Sequence, residues 1–460
     1  MLSIQEYNTT HKGRRSTTSC TPTPEKFVFA LALLQSYRMS ANVISKHVSG
    51  WLWAIVVVGI LLRIFYTAVT PYTTRGHDAG SHVDYIEYIA DHGALPDPHA
   101  GLEFYHPPLY YWLGAVIVDV SRVAHLSNNT ALIAVQWFGF FLSIVTFGIV
   151  LWIGLLLFPR KEDEASLLLF ASIAAVLPSF VFFAARINND VLYEVFAFLG
   201  VALTIAFWKR GKITLWYALS VALAIGLLTK GNLFLIVLCA WLCLILHDKF
   251  SIRKKLMHLS LSALIIVAIA GWFYIPRFIA EHQSRTAVIG NVNILTNFVQ
   301  NSPEAYLTFN PIGMIEHPYN DPFDDAARRQ YFWEYLARSA LYGEFNFGEG
   351  DLLLARMMVG SFLLLLVLAA YGIYADRKQW FVHLPVWILL ITLLIGHTIF
   401  RFVFPYSSSQ DFRYSVLLLI PFAFYATKRF PKEQEALHYG RIIVISFFAI
   451  CSGVFLLSLT

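Results

Sequence analysis

Residues 107–126 read Pro-Pro-Leu-Tyr-Tyr-Trp-Leu-Gly-Ala-Val-Ile-Val-Asp-Val-Ser-Arg-Val-Ala-His-Leu, and the topology turns on whether this stretch crosses a membrane. It opens Pro-Pro, which suits a helix start, and it is apolar enough to span. It also carries Asp119 and Arg122 and bunches Tyr110, Tyr111 and Trp112 at one end, as a helix lying at a membrane–water interface does. Apolar runs on either side of it mark spans at 51–70, 130–158, 165–185, 190–208, 213–229, 232–247 and 258–279. After a long gap come 351–374, 381–404, 412–428 and 441–459. With 107–126 at the interface, the clusters Arg160-Lys161, Lys209-Arg210-Gly211-Lys212, Lys249 to Lys255, Arg377-Lys378 and Lys428 to Lys432 all share one side. It is the side of the basic tail carrying Lys12, Arg14, Arg15, Lys26, Arg38 and Lys46. If 107–126 spans, every cluster moves away from that tail. The positive-inside rule therefore selects the interfacial helix and a cytoplasmic N-terminus.

The composition agrees. Of 460 residues, 57% are hydrophobic and only 14% charged, against about 25% charged in soluble domains. The reading is an all-α polytopic membrane protein with about 11 transmembrane helices: a disordered cytoplasmic tail at 1–47 and a transmembrane domain at 48–460. The net charge of +5 is read as a distribution across the bilayer, not as nucleic-acid affinity. Cys20, Cys239, Cys243 and Cys451 have spacings of neither a disulfide framework nor a zinc site, and packing is their expected role. The sequence holds no internal repeat, P-loop or dinucleotide fingerprint.

This topology leaves external loops at 71–129 and 280–350, with short external turns near Asn188, Gly231 and Gln410. The first loop contains Arg75-Gly-His-Asp-Ala-Gly-Ser-His82, then an amphipathic helix with Val83, Ile86 and Ala90 on one face, ending near Gly93. Asp78 follows directly on the first span, at the level of a lipid headgroup. Two readings stand open for it: a helix cap or solvated acid, and a general base held in a fixed position. His77, His82, His99 and His106, with Asp78 and Glu103, are metal-ligand candidates or interface anchors. Arg186, Lys230, Arg277 and Arg413 lie at external span ends, where they either snorkel to headgroups or converge on a lipid phosphate. The second loop has a disordered-looking first half and a helical pattern after Asp324. It reads as a lid or as an inert cap, and its Trp333, Tyr335 and Tyr342 either stack on a sugar or pack against the membrane.

In order along the chain, Asp78, Gly93-Ala-Leu-Pro96, His106-Pro107-Pro108, Arg186-Ile-Asn-Asn-Asp190, Leu228-Thr-Lys-Gly231, Arg338-Ser-Ala-Leu-Tyr-Gly-Glu-Phe345 and Gln410-Asp-Phe-Arg-Tyr414 resemble the GT-C superfamily of membrane glycosyltransferases. The type is family 39, which includes protein O-mannosyltransferases and the bacterial aminoarabinose transferase of lipid A. The resemblance runs from about Trp51 to the C-terminus. It departs at Ala79, where the protein O-mannosyltransferases have an acid, and at His106, where the lipid A enzyme has lysine. It implies a GT-C fold and inverting transfer of a hexosyl or pentosyl group from a polyprenyl-phosphate donor to a lipid or glycan acceptor, with protein less favoured, on the external face. That face is the periplasm of a bacterial inner membrane, or the lumen of an ER membrane. Asp78 is the expected general base. His106, Arg186, Lys230 and Arg413 are the expected phosphate ligands, with Asp190, Glu103, His82 and Glu344 orienting the acceptor or its neighbours. No cofactor is required by this chemistry, although a divalent metal at Asp78, His77 and His82 is compatible with it. The competing class is a transporter or flippase of a lipid-linked saccharide, against which stands the clustering of polar residues at span ends rather than at mid-bilayer; Arg63 is the exception.

Overall fold

Each of the eleven apolar segments is helical in the computed structural model, which describes residues 46–76, 78–280, 297–429 and 435–459. The expectations for residues 1–45, including Cys20, and for His77 lie outside the described residues. Seven helices are long and apolar enough to cross a membrane: Ser49–Val69, Asn128–Leu157, Asp190–Arg210, Ile252–Ala280, Leu352–Asp376, Leu384–Val403 and Leu437–Ser458. An eighth segment is a pair, Lys161–Val176 and Pro178–Ala185, bent by 56°. Ile213–Leu227 and Gly231–Leu246 are shorter apolar helices. The eleventh segment is a 3-10 turn, Phe412–Leu418, that tightens into the α-helix Leu419–Thr427. The protein is thus an integral membrane protein that crosses the bilayer several times.

The bend in the eighth segment has a local cause. Pro178 has no N–H to give the preceding turn, and Leu177 before it takes ψ 114°, outside the helical region. The stranded carbonyls are taken up by Arg63, the charge inside the first span. Its Nη1 donates to Ala175 O at 3.2 Å and to Gly59 O at 3.0 Å, its Nη2 to Ala174 O at 3.5 Å and its Nε to Ser143 Oγ at 3.2 Å. The guanidinium also faces the rings of Phe147 and Phe180 at 4.6 and 5.0 Å. Arg63 is therefore a splint for a broken helix, which accounts for its burial in apolar surroundings.

The basic clusters meet at one end of the bundle. Arg429 Nη1 lies 3.6 Å from Glu162 Oε2, Lys428 pairs with Asp376, Lys209 donates to Leu156 O and Arg441 to Lys428 O. His383 Nδ1 completes the Asp376 cluster at 2.9 Å. Cys239, Cys243 and Cys451 are buried, in keeping with packing roles.

At the opposite end, Ala79–His92 and Leu109–Val123 form a helical hairpin. Gly93 ends the first of these with φ 61° and returns its N–H to Ile89 O, the left-handed stop that a glycine accepts without strain. Leu109–Val123 is not among the helices long and apolar enough to span. Its first N–H bonds Leu228 O at 2.9 Å, which fixes the Pro107-Pro108 corner against the Lys230 turn. Trp112 stacks on Trp272 at 5.8 Å.

From residue 297 the second loop is folded, so the disordered first half is corrected as far as the described residues reach. Ser302 and Asn310 cap the short helices Pro303–Leu307 and Pro311–Glu316. Val299 N bonds Pro405 O and Ser407 N bonds Asn297 O, both at 2.9 Å, which ties the segment to the turn before Phe412. The fully buried Arg338 holds the remainder together, donating to His317 O at 2.8 Å, Tyr319 O at 3.0 Å and Ala327 O at 2.8 Å. Tyr342 is buried and donates to Ala355 O at 2.9 Å. Tyr335 is likewise buried, so both rings pack the loop and neither offers a face to a sugar.

Candidate active site

Asp78 precedes the Ala79–His92 helix but makes no capping hydrogen bond with its side chain, so the cap reading is not realised. Its Oδ2 instead lies 3.5 Å from Arg413 Nη1, with 37% of the side chain still open to solvent. One turn on, His82 is buried, and its Nδ1 shares a 2.8 Å hydrogen bond with the Tyr111 hydroxyl. Ligand atoms of Asp78, His82 and Glu103 all lie within 4.8 Å of one another. Behind Glu103, its Oε2 meets His106 Nε2 at 2.7 Å. Tyr85 stacks on Tyr111 at 3.9 Å and donates to His106 O at 3.2 Å, so the helical hairpin presents all these groups from a rigid aromatic backing.

The electrostatics suit cation ligation. Burial pushes the His82 ring down to about 4, against the smaller opposing pull of Glu103 and nearby acids, so it is neutral at ordinary pH. Burial pushes the Glu103 carboxyl up, but the charge and hydrogen bond of His106 outweigh it and hold the group below the usual range. A neutral imidazole and two carboxylates are the donors a divalent ion takes, and with His82 Nδ1 engaged by Tyr111, Nε2 is the nitrogen left for it. His99 is exposed and stands apart from this set.

The His82 shift carries a stability prediction. Its folded pKa lies below the ordinary value of about 6.5, so its contribution is fully present above that pH. It is lost as pH falls towards 4. The melting temperature is expected to drop across this window by an amount equivalent to at most roughly 3 kcal/mol. In His82→Asn the drop should be visibly smaller; an identical pH profile would dispose of the assignment.

The cations approach from the span ends. Lys230 pairs with Asp190 at the start of the Asp190–Arg210 helix, and its ammonium lies 5.3 Å from the Tyr414 ring. Arg413 donates to the Tyr414 hydroxyl at 3.0 Å, and the Arg413 backbone N–H is capped by Asp411 Oδ1 at 2.9 Å. Arg186 is 2% exposed and makes no ion pair among the described residues; its Nε and Nη1 have no hydrogen-bond partner. It sits in the field of Asp411, Arg413 and Asp190, with Phe183 and Phe345 on its flanks at 4.7 and 5.8 Å. Its turn is pressed against the Asn128–Leu157 helix at Gly139, where a Cβ would come within 2.8 Å of Arg186 O. Glu344 accepts from Tyr335 at 2.8 Å. Burial raises its carboxyl pKa, countered in part by Arg413, and Asp78 and Arg186 are also within its reach. Asp78, His82, Glu103, His106, Arg186, Asp190, Lys230, Glu344 and Arg413 therefore lie in one electrostatic cluster, and His99 does not join it. Arg277 serves as a brace, giving Nη1 to Tyr105 O at 2.8 Å. Tyr414 and Tyr111 were quoted in motifs without a role; the structure makes them the partners that orient Arg413 and His82.

A family model described as dolichyl-phosphate-mannose-protein mannosyltransferase matches residues 105–275. The oligosaccharyltransferase of Archaeoglobus fulgidus, solved in complex with Zn and sulfate, superposes with a TM-score of 0.52 at 14% identity, covering 87% of this chain and 52% of that one. The chain has the fold of the GT-C membrane glycosyltransferases. The apo form of the archaeal enzyme gives a TM-score of 0.50 at 12% identity, covering 88% of this chain and 56% of that one. ArnT from Cupriavidus metallidurans bound to undecaprenyl phosphate gives 0.41 at 10% identity, covering 88% and 78%. The chain spans about half the length of the archaeal oligosaccharyltransferase. No curated protein matches it in sequence.

Proposed function

We propose that the protein is an inverting glycosyltransferase that takes a sugar from a polyprenyl-phosphate donor and places it on a hydroxyl of a lipid or glycan acceptor at the external face of the membrane. In a bacterium with two membranes that face is periplasmic. The observation that carries the reading is Arg186. A buried guanidinium with two unpartnered nitrogens is costly unless an anion joins it. Asp78 lies in the same cluster, paired with Arg413, as a carboxylate accessible to an acceptor. The family description, which names a dolichyl-phosphate sugar, is in keeping with such a donor.

In the reaction, an acceptor hydroxyl attacks the anomeric carbon and its proton passes to the Asp78 carboxylate. The bond from that carbon to the phosphate oxygen breaks, and the electron pair leaves on the phosphate. Arg186 takes up the charge that develops there, with Arg413 and Lys230 beside it. Lys230 is already balanced by Asp190, so it acts chiefly to fix the turn that carries it. His106 acts through Glu103, whose ionised state it maintains. Glu344 and Asp190 line the acceptor side of the cations. A divalent ion held by Asp78, His82 and Glu103 would make the acceptor hydroxyl more acidic. Nothing in the proton transfer to Asp78 depends on it.

The test is the release of free polyprenyl phosphate from a panel of polyprenyl-phosphate sugars by the purified protein, with membrane extract as acceptor and with or without a chelator. Release, together with label transferred to lipid or glycan, is the expected result. Loss of release on chelation, restored by one metal, assigns the ion to the Asp78, His82 and Glu103 group. Consumption of no donor in the panel overturns the reading and favours transport of the lipid-linked saccharide.

A further inference from the structure

Arg75 has no part in the chemistry above. It is a non-glycine residue at φ 56°, in the left-handed region, three positions before Asp78. Such backbone persists only where its surroundings enforce it. Here the enforcement comes from its side chain and its neighbour. Its guanidinium lies over the ring of Phe347 at 5.0 Å and that of Tyr66 at 5.9 Å, and at the next residue, Gly76, a Cβ would meet Tyr72 O at 2.3 Å. With rings on its flanks, only its edge is left for hydrogen bonding. Arg75 makes no ion pair among the described residues, and its Nη1 is buried without a partner.

Arg75 is half-buried and Arg186 buried, and both have guanidinium nitrogens without partners. Tyr66, 1% exposed, is within electrostatic reach of both guanidiniums. Phe345, beside Arg186, and Phe347, beside Arg75, are in ring contact at 6.5 Å. Three buried guanidinium nitrogens thus lack partners around one aromatic partition: Arg75 Nη1, Arg186 Nε and Arg186 Nη1. Guanidinium nitrogens shut away from solvent without acceptors are costly, and an oxyanion accepting from both arginines removes both costs together.

We infer that Arg75 is a second oxyanion-binding arginine, joining Arg186 in a seat for a phosphate group carried by a substrate. This rests on the glycosyltransferase reading for the identity of the substrate, but the seat itself follows from the unpartnered nitrogens. The phosphate belongs either to the polyprenyl carrier or to a phosphorylated acceptor.

The test uses the full-length protein in nanodiscs. Phenylglyoxal labelling of Arg75, read by mass spectrometry, should be suppressed by millimolar inorganic phosphate, while labelling of the surface Arg122 is not. Losing one charge-assisted hydrogen bond in Arg75→Gln should weaken phosphate-bearing ligands by about tenfold or more, with Arg75→Lys in between because it keeps the charge but not the fork. If affinity for polyprenyl phosphate falls and the acceptor KM is steady, the seat holds the carrier; if only the acceptor KM rises, it holds the acceptor. Failure of phosphate to protect Arg75 in the wild type, or equal affinities and KM values in Arg75→Gln, overturns the inference. Protection by inorganic phosphate in a protein that binds no polyprenyl phosphate would leave the seat intact and sink the lipid-donor reading alone.

Discussion

Asp78→Asn is expected to lower the rate of sugar transfer by about a hundredfold to ten-thousandfold, the range that loss of a positioned general base produces. Affinity for the polyprenyl-phosphate donor should hardly change. The substitution keeps the shape of the side chain and one oxygen able to face Arg413, which lies 3.5 Å from Oδ2 in the wild type. On the proposed mechanism it removes the oxygen that would take the acceptor's proton. The prediction is therefore a fall in kcat with the donor still bound, measured by single-turnover release of polyprenyl phosphate and by direct binding of the donor. Two other outcomes are informative. A large loss of donor affinity would make Asp78 a binding group for the lipid end. Unchanged turnover would remove it from the chemistry and leave a flippase, which needs no base, as the better account. Glu103→Gln separates the remaining assignment: a metal-dependent enzyme should lose its response to added ion, whereas a metal-free one should show only the disturbance of the Glu103–His106 pair.

The span pattern was legible because it rests on length and apolarity alone, and the side of each basic cluster followed from parity once 107–126 was set aside. The contacts of Arg429 with Glu162 and of Lys428 with Asp376 bring the segments around 160–162, 376–378 and 428–429 together. The local geometry was less accessible. Nothing in the apolar run 412–428 announces that its first seven residues form a 3-10 turn, yet that turn brings Arg413 and Tyr414 together at the site. The cap reading of Asp78 was reasonable from position and fails on side-chain direction, which depends on Arg413, more than 300 residues away in the chain. Glu344 came from the resemblance alone, since a single acid in a loop has no periodicity. Tyr335 and Tyr342 show the converse: aromatics next to a candidate site look like sugar platforms until burial shows them to be the packing of the loop.

Arg63→Leu is expected to be the most damaging substitution away from the site, costing roughly 3 kcal/mol or more, because a buried polar group left without its partner loses about 1–3 kcal/mol. The reasoning begins at Pro178. A proline there removes the donor that Ala174 O would use in an unbroken helix, and Arg63 supplies nitrogens to the carbonyls of Ala174 and Ala175 in its stead. Leucine fills part of the volume and satisfies neither carbonyl, nor Ser143. Lysine reaches one acceptor at most, so Arg63→Lys should fall between. The two positions should also be coupled. In a Pro178→Ala background the restored N–H can bond Ala174 O, so Arg63→Leu should cost at least about 1 kcal/mol less there than in the wild type, within the range seen for interacting pairs. Thermal unfolding of the four proteins in one detergent measures this cycle. Strict additivity would mean that Arg63 and the break are independent, and the charge in the first span would need another explanation. Coupling would instead connect it to the site, because the pair it splints, Lys161–Val176 and Pro178–Ala185, ends at the residue before Arg186. Release of that splint is expected to loosen Arg186, whose Nε and Nη1 have no partner, and donor affinity should fall along with stability.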